Sequence, residues 1–208
     1  MFITFEGPDG SGKSTQMKLL ADYLAGRGFP VSTTREPGGT PIGDQIRQVL
    51  LDPANRAMHA RTEILLFIAS RAQHTEEVIR PRLRAGEIVL CDRYRDSTVA
   101  YQGYGQGVDR LMLESFNDFA TGGLLPDLTL LLDLPAEIGL ERRSRAGDWN
   151  RLDALTVAFH QRVRDGYLQL AAAHPERWAV IDADREAGAV ADHVRQVVEI
   201  RLATRKTA

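Results

Sequence analysis

The sequence predicts an α/β fold of three layers, a five-stranded parallel sheet with helices on both faces. Three observations lead there. Short apolar runs of strand length recur along the 208 residues, and stretches with the 3.6-residue period of helices separate them. A strand-helix-strand connection of that length brings consecutive strands parallel. The composition, 43% hydrophobic and 26% charged, is that of a compact water-soluble domain, and a chain of this size can bury about 70% of its unfolded surface around one core. One domain spanning residues 1–208 is therefore expected.

The elements follow in chain order. Phe2 to Phe5 is an apolar strand, and a glycine-rich turn follows it. Ser14 to Leu24 then sets Met17, Leu20, Ala21 and Leu24 on one helical stripe, closed by Gly26 and Gly28. A weaker strand lies near Val31. From Arg61 to Arg80 the chain carries Ile64, Leu65, Leu66, Phe67 and Ile68 in succession, so this helix should be apolar nearly all round and central. Strands at Ile88 to Cys91, Leu128 to Leu132 and Trp178 to Ile181 complete the sheet. Further helices fit Asp109 to Ala120, Pro135 to Arg145 with proline at a tolerated first-turn position, Leu155 to Ala172, and Glu186 to Leu202. Ligands of such a sheet bind at the carboxyl ends of its strands.

The 28 acidic and 26 basic side chains leave a net charge of −2, which excludes a general nucleic-acid coat. The single cysteine, Cys91, excludes an internal disulfide and a cysteine-based zinc site, and fits a reducing cytoplasm. MFITFEGPDG lacks the basic start and long apolar stretch of a signal peptide, and no segment reaches the 18 or so apolar residues of a membrane span, so a cytoplasmic protein without a membrane partner is expected. His59, His74, His160, His174 and His193 show no metal-ligand spacing, and no tight metal cage is expected.

Directly after the first strand stand Gly7, Pro8, Asp9, Gly10, Ser11, Gly12, Lys13, Ser14 and Thr15, which satisfy G-x-x-x-x-G-K-[ST] in the required strand-loop-helix context. Glycines let the backbone curl round a phosphate with its N–H groups inward, and the helix start adds its positive dipole end. Lys13 can follow the β and γ phosphates, and the Ser14 hydroxyl can join a magnesium shell. Asp92, at the tip of the Ile88 strand, puts a carboxylate at the same edge, where it could hold magnesium through water. The alternative for Asp92 is a solvent-facing turn residue paired with Arg93 or Arg95. The motif thus predicts a P-loop NTPase fold and a nucleotide, without naming the reaction.

An N-K-x-D guanine signature and an L-S-G-G-Q transporter signature are both missing. Present instead are the F-E-G-P-D-G-S-G-K-S-T loop, T-R-E-P-G-G from Thr34 to Gly39, Leu66 to Arg71, Asp92-Arg93-Tyr94 followed by S-T-V-A-Y-Q-G, Pro126 to Thr129, and Asn150-Arg151-Leu152-Asp153. In these residues the chain closely resembles bacterial thymidylate kinases over nearly its whole length. The resemblance implies a single P-loop kinase domain with a short lid, about residues 142–153, and an ATP- and magnesium-dependent transfer of a phosphoryl group to dTMP, giving dTDP for the dTTP supply. It also implies a homodimer. Another nucleoside monophosphate kinase of the same fold, or a non-catalytic nucleotide switch, is the alternative.

Carried over position by position, the resemblance gives Arg93 the dTMP phosphate, with Asp9, Arg35, Glu36 and Pro37 nearby. A guanidinium can engage a phosphate in a fork and hold it in line for transfer. Phe67 and Arg71 share a helix face four residues apart; read from the residues alone they are a core phenylalanine with an arginine passing it, whereas the resemblance has them stack on thymine and donate to its carbonyl. Thr98 and Gln102 resemble the groups meeting the base edge, and Tyr101 the ring that blocks a ribose 2′-hydroxyl. The acceptor for thymine N3–H is Thr98, Gln102 or a bridging water. Gly10 stands where some thymidylate kinases carry a catalytic arginine, so that charge is expected from the lid: Arg145 first, otherwise Arg143 or Arg151, with Arg142 against adenine. Cys91 reads as inert packing, and Phe159 and Tyr167 as core.

Overall fold

The structure, a computed structural model, describes residues 1–147 and 150–206. Strands β1 (Phe2–Glu6), β2 (Val31–Arg35), β3 (Ile88–Asp92), β4 (Leu128–Asp133) and β5 (Trp178–Asp182) form one sheet in the order β2-β3-β1-β4-β5, with every neighbouring pair parallel. Strands covered on both faces have no reason to alternate, which is why β1 is buried at every position. One face packs Ile3, Phe5, Leu90 and Leu130 against Leu20 and Leu24 of α1 (Lys13–Gly26) and Val194 and Val198 of α9 (Ala187–Lys206). The opposite face sets Leu131 and Trp178 against Val163, Tyr167 and Leu170 of α8 (Val157–Ala173), and Phe2 and Val89 against Ile79 and Tyr94. Each such side chain contributes about 1.5–3 kcal/mol of burial.

Helix α2 (Pro41–Leu51) is absent from the sequence reading, although its start carries a local signal: the Thr40 hydroxyl accepts the Gly43 N–H at 2.9 Å and proline occupies the first turn. The helix expected over Arg61 to Arg80 is composite. It runs as α3 (Ala60–His74), a π-helical turn over Thr75–Ile79, and α4 (Arg80–Arg84). Its expected character needs correction, since Leu65 is 57% exposed while Glu63, Ser70, Arg71 and His74 are buried. The inward face of α3 builds a polar site whose members satisfy one another, and apolar residues are left outside. After β3 come α5 (Arg95–Thr98) and a π-helical segment, Val99–Gly105, also unforeseen. Helices α6 (Arg110–Thr121) and α7 (Ala136–Ala146) fall where expected, and Gly147 ends α7 in the left-handed conformation. Of the expected lid, residues 148 and 149 lie outside the described residues.

The connections leaving β1 run to β2 on one side of it, and β4 lies on the other. The loop after β1 therefore opens at the switch point of the sheet, where a crevice forms beyond the strand ends.

Candidate active site

A cleft of about 450 Å³ lies at those carboxyl ends. Asp9, Gly10, Gly12, Lys13, Ser14 and Thr15 form one wall; Arg35, Glu36, Pro37, Phe67 and Arg71 form another; Asp92, Arg93, Thr98, Tyr101 and Gln102 lie between, and Arg142 and Arg143 come from α7. Gly7, Pro8 and Ser11 complete the loop between β1 and α1. There the Lys13 ammonium donates to the Gly7 and Pro8 carbonyls at 3.1 and 2.8 Å and to Ser11 Oγ at 3.4 Å. Burial, and then the charge of Arg93, push this lysine down to about 8. Gly10 has φ +78, and a Cβ there would collide with the Gly139 carbonyl, just as a Cβ on Gly139 would meet the Asp9 carbonyl. The missing side chains let α7 abut the loop, and this backbone has no room for an arginine at position 10.

Ser14 Oγ donates to Asp92 Oδ2 at 2.7 Å at the rim. A hydroxyl and one carboxylate, both oxygen donors beside a phosphate cradle, fit magnesium, which takes few protein ligands and completes its shell with water and phosphate oxygens.

Arg93 is the non-glycine residue of positive φ, at +68, among the described residues. This sparsely populated conformation is held by its own N–H to the Phe5 carbonyl at 2.9 Å and by the buried Cys91 thiol donating to its carbonyl at 3.0 Å. Its guanidinium donates to Asp9 Oδ1 at 2.7 Å, to the Tyr101 and Tyr167 hydroxyls at 3.0 Å each, and to Ser97 Oγ at 3.2 Å. Asp9 Oδ2 also accepts from Tyr101 at 2.6 Å. Burial would raise the Asp9 carboxyl, but Arg93 and Lys13 hold it well below the usual carboxylate range, so it stays ionised. Arg93 therefore pairs with Asp9, and Asp92 is left to Ser14.

On the opposite wall Arg71, almost fully buried, donates to Glu36 at 2.8 Å, Thr98 Oγ1 at 2.9 Å, Asn117 at 2.6 Å and the Tyr94 carbonyl at 3.0 Å. Four of its five N–H groups are thereby used. Glu36 is also held by His74 Nδ1 at 3.1 Å. The Gln102 amide donates to Glu63 at 2.8 Å, which leaves its carbonyl oxygen as an acceptor. Arg35 pairs with Asp44 at 3.1 Å.

The lid arginines separate. Arg142 donates to the Ala183 carbonyl at 3.3 Å and to Asp184 at 3.2 Å, and Arg143 Nε to the buried Asp153 at 3.2 Å. Burial raises the Asp153 carboxyl. The structure does not bring Arg145 or Arg151 into the cleft. Arg145 is 76% exposed and paired with Glu141, one helical turn away, while Arg151 is bound to Glu63 and to the Leu50 carbonyl.

Several cleft residues escaped the sequence reading. Arg47, donating to the Pro37 carbonyl at 2.9 Å, stands on the unforeseen α2, and Ser97 on the equally unforeseen α5. Tyr167 was read as core and is buried, yet its hydroxyl bonds Arg93; its periodicity signals burial only, and no local pattern reports a hydroxyl's partner.

The family model described as thymidylate kinase matches residues 5–194. The thymidylate kinase of Herpetosiphon aurantiacus is 50% identical, the match covering 100% of this chain and 98% of that one. That of Roseiflexus sp. is 53% identical over 98% of this chain and 96% of its own. The crystal structure of thymidylate kinase from Ehrlichia chaffeensis superposes with a TM-score of 0.78 at 38% identity, covering 96% of this chain and 98% of that chain.

Proposed function

The chain belongs to the thymidylate kinase family, and on that premise we propose how its cleft carries out the reaction. The protein phosphorylates dTMP to dTDP with ATP as phosphoryl donor; the assignment of residues to the two nucleotides is our own. The β1–α1 loop cradles the ATP phosphates through its backbone N–H groups, and Lys13 leaves the Gly7 and Pro8 carbonyls to follow the transferring charge. Ser14 and Asp92 hold magnesium, which neutralises developing charge on the phosphates when bound. Arg142 packs on adenine. Phe67 and Arg71 take thymine, with the remaining Arg71 N–H on a base carbonyl and the Gln102 oxygen accepting N3–H. Tyr101 closes the space of a 2′-hydroxyl. Arg143, on the last turn of the helix that abuts the loop, is the lid arginine best placed for the transferred group.

The observation that carries this reading is Arg93: a strained, four-partner guanidinium at the strand edge between the phosphate loop and the base pocket. Such a residue can grip the acceptor phosphate and align it with the γ phosphate without covalent chemistry. Arg93→Ala is expected to lower kcat/KM for dTMP by about 10³-fold while KM for ATP stays within threefold. A kcat/KM for dTMP unchanged in that variant refutes the assignment.

We further propose a homodimer and a cytoplasmic setting. The layer of α3 and α6 leaves Leu65, Met112 and Phe119 exposed, Phe119 at 87%, and a second copy of the chain covers such a face at least cost. A single buried cysteine fits a reducing compartment. Among the described residues no helix is long and apolar enough to cross a membrane.

A further inference from the structure

Beneath Arg93 lies a buried carboxylate with no part in the roles above. Glu6, the last residue of β1, is fully buried. Its Oε1 accepts the Tyr94 N–H at 2.8 Å, and its Oε2 faces the Ser97 hydroxyl at 2.5 Å and the Tyr167 hydroxyl at 2.9 Å. Both hydroxyls also accept from Nη1 of Arg93, and they lie 2.8 Å from each other.

A hydroxyl has one proton. When that proton points to Glu6 or to the neighbouring hydroxyl, only lone pairs meet the guanidinium, which is what an arginine requires. If Glu6 were neutral and donated instead, its proton would take up a lone pair of one of these hydroxyls, and the negative charge that polarises both of them toward the Arg93 guanidinium would be lost. The same carboxylate fixes the N–H of Tyr94, the residue directly after the strained Arg93 backbone.

We propose that Glu6 is a positioning residue for the acceptor phosphate: as a carboxylate it sets the direction of the Ser97 and Tyr167 hydroxyls, so that these and the tied Tyr94 backbone hold Arg93 at the mouth of the loop. The inference rests on Arg93 as the holder of the dTMP phosphate. Glu6 acts through Arg93 and touches no substrate. The charged and titratable groups around it are Asp96 and Arg93, then Tyr167, Lys13, Arg177 and Cys91. Burial first and Asp96 second push its carboxyl up to about 7. Acidification through neutrality therefore removes the carboxylate, and with it the hold on Arg93.

The experiment is steady-state kinetics with dTMP and ATP from pH 5.5 to 9 on the full chain and on Glu6→Gln, Ser97→Ala, Tyr167→Phe and Arg93→Ala, each checked by thermal melting. In the parent, kcat/KM for dTMP falls on acidification with a midpoint near 7. In Glu6→Gln it is at least tenfold lower at pH 8, KM for ATP stays within twofold, and the acid limb retreats to that of the substrate phosphate, about 6. Glu6→Gln within twofold of the parent and with the same acid limb overturns the proposal, as do equal losses toward ATP and dTMP, which mark a merely structural role. Should Glu6→Gln not fold, Ser97→Ala and Tyr167→Phe carry the test: each loses at least fivefold in kcat/KM for dTMP alone, and the absence of that loss overturns the proposal. If Arg93→Ala leaves kcat/KM for dTMP intact, the underlying reading of Arg93 has failed; if Arg93→Ala is severe and the other three are silent, only the role of Glu6 has.

Discussion

At the scale of single residues, the division of labour among the arginines is decided by what each one already holds. Arg151 is committed to Glu63, and Arg145 stands in solvent beside Glu141. Arg143 lines the cleft on the helix that touches the loop. Arg143→Ala should therefore lower kcat by about three orders of magnitude with a smaller effect on KM for ATP, the signature of a contact made in the transition state. Arg145→Ala should keep kcat within threefold, about 0.7 kcal/mol. The reverse ranking in the same assay would return the role to Arg145. Lys13 supplies a second test, by pH. Its ammonium is charged below its folded value and the polyphosphate needs that charge, so kcat/KM for ATP should fall as pH rises past about 8, since this ratio reports the free enzyme. A profile flat to pH 10 would mean an unperturbed lysine. The places of Lys13 and Ser14 at the cleft were legible in the sequence because a spacing in a strand-loop-helix context marks them, and that of Asp92 because it stands at the tip of a strand. Tyr167 and Glu6 were not. Their roles depend on which hydroxyl faces which carboxylate across 161 positions, and periodicity is blind to that.

At the scale of elements, most helices, α1 and α7 of the site among them, were read within a few residues, while α3 was misread and α2, α5 and the π-helical segment were missed. In α3 the apolar run Ile64 to Ile68 suggested burial all round, whereas Glu63, Arg71 and His74 take the interior because each is paired there. The π-helical turn Val99–Gly105, which carries Tyr101 and Gln102, has no simple period to detect. The displaced apolar residues have a consequence for assembly. If Leu65 and Phe119 lie in a two-fold interface, sedimentation equilibrium at micromolar concentration should give a dimer, and Leu65→Glu with Phe119→Glu should shift it to monomer. A parent that sediments as a monomer contradicts the dimer.

At the scale of the whole molecule, the sheet was legible because doubly covered parallel strands carry near-continuous apolar runs, a pattern that survives without any alignment. Their order in space was not, since strand pairing depends on which connections cross the sheet, yet it is this order that puts the loop of β1 at the switch point. On the reading proposed above, the cleft joins two nucleotide sites through Arg93. Phosphoryl transfer from ATP measured side by side for dTMP, dUMP, dCMP, dGMP, AMP and UMP tests that joint site most directly. The account predicts dTMP first and dUMP second, because one methyl in a pocket is worth only about 1–3 kcal/mol, and AMP or dCMP outrunning dTMP would contradict it.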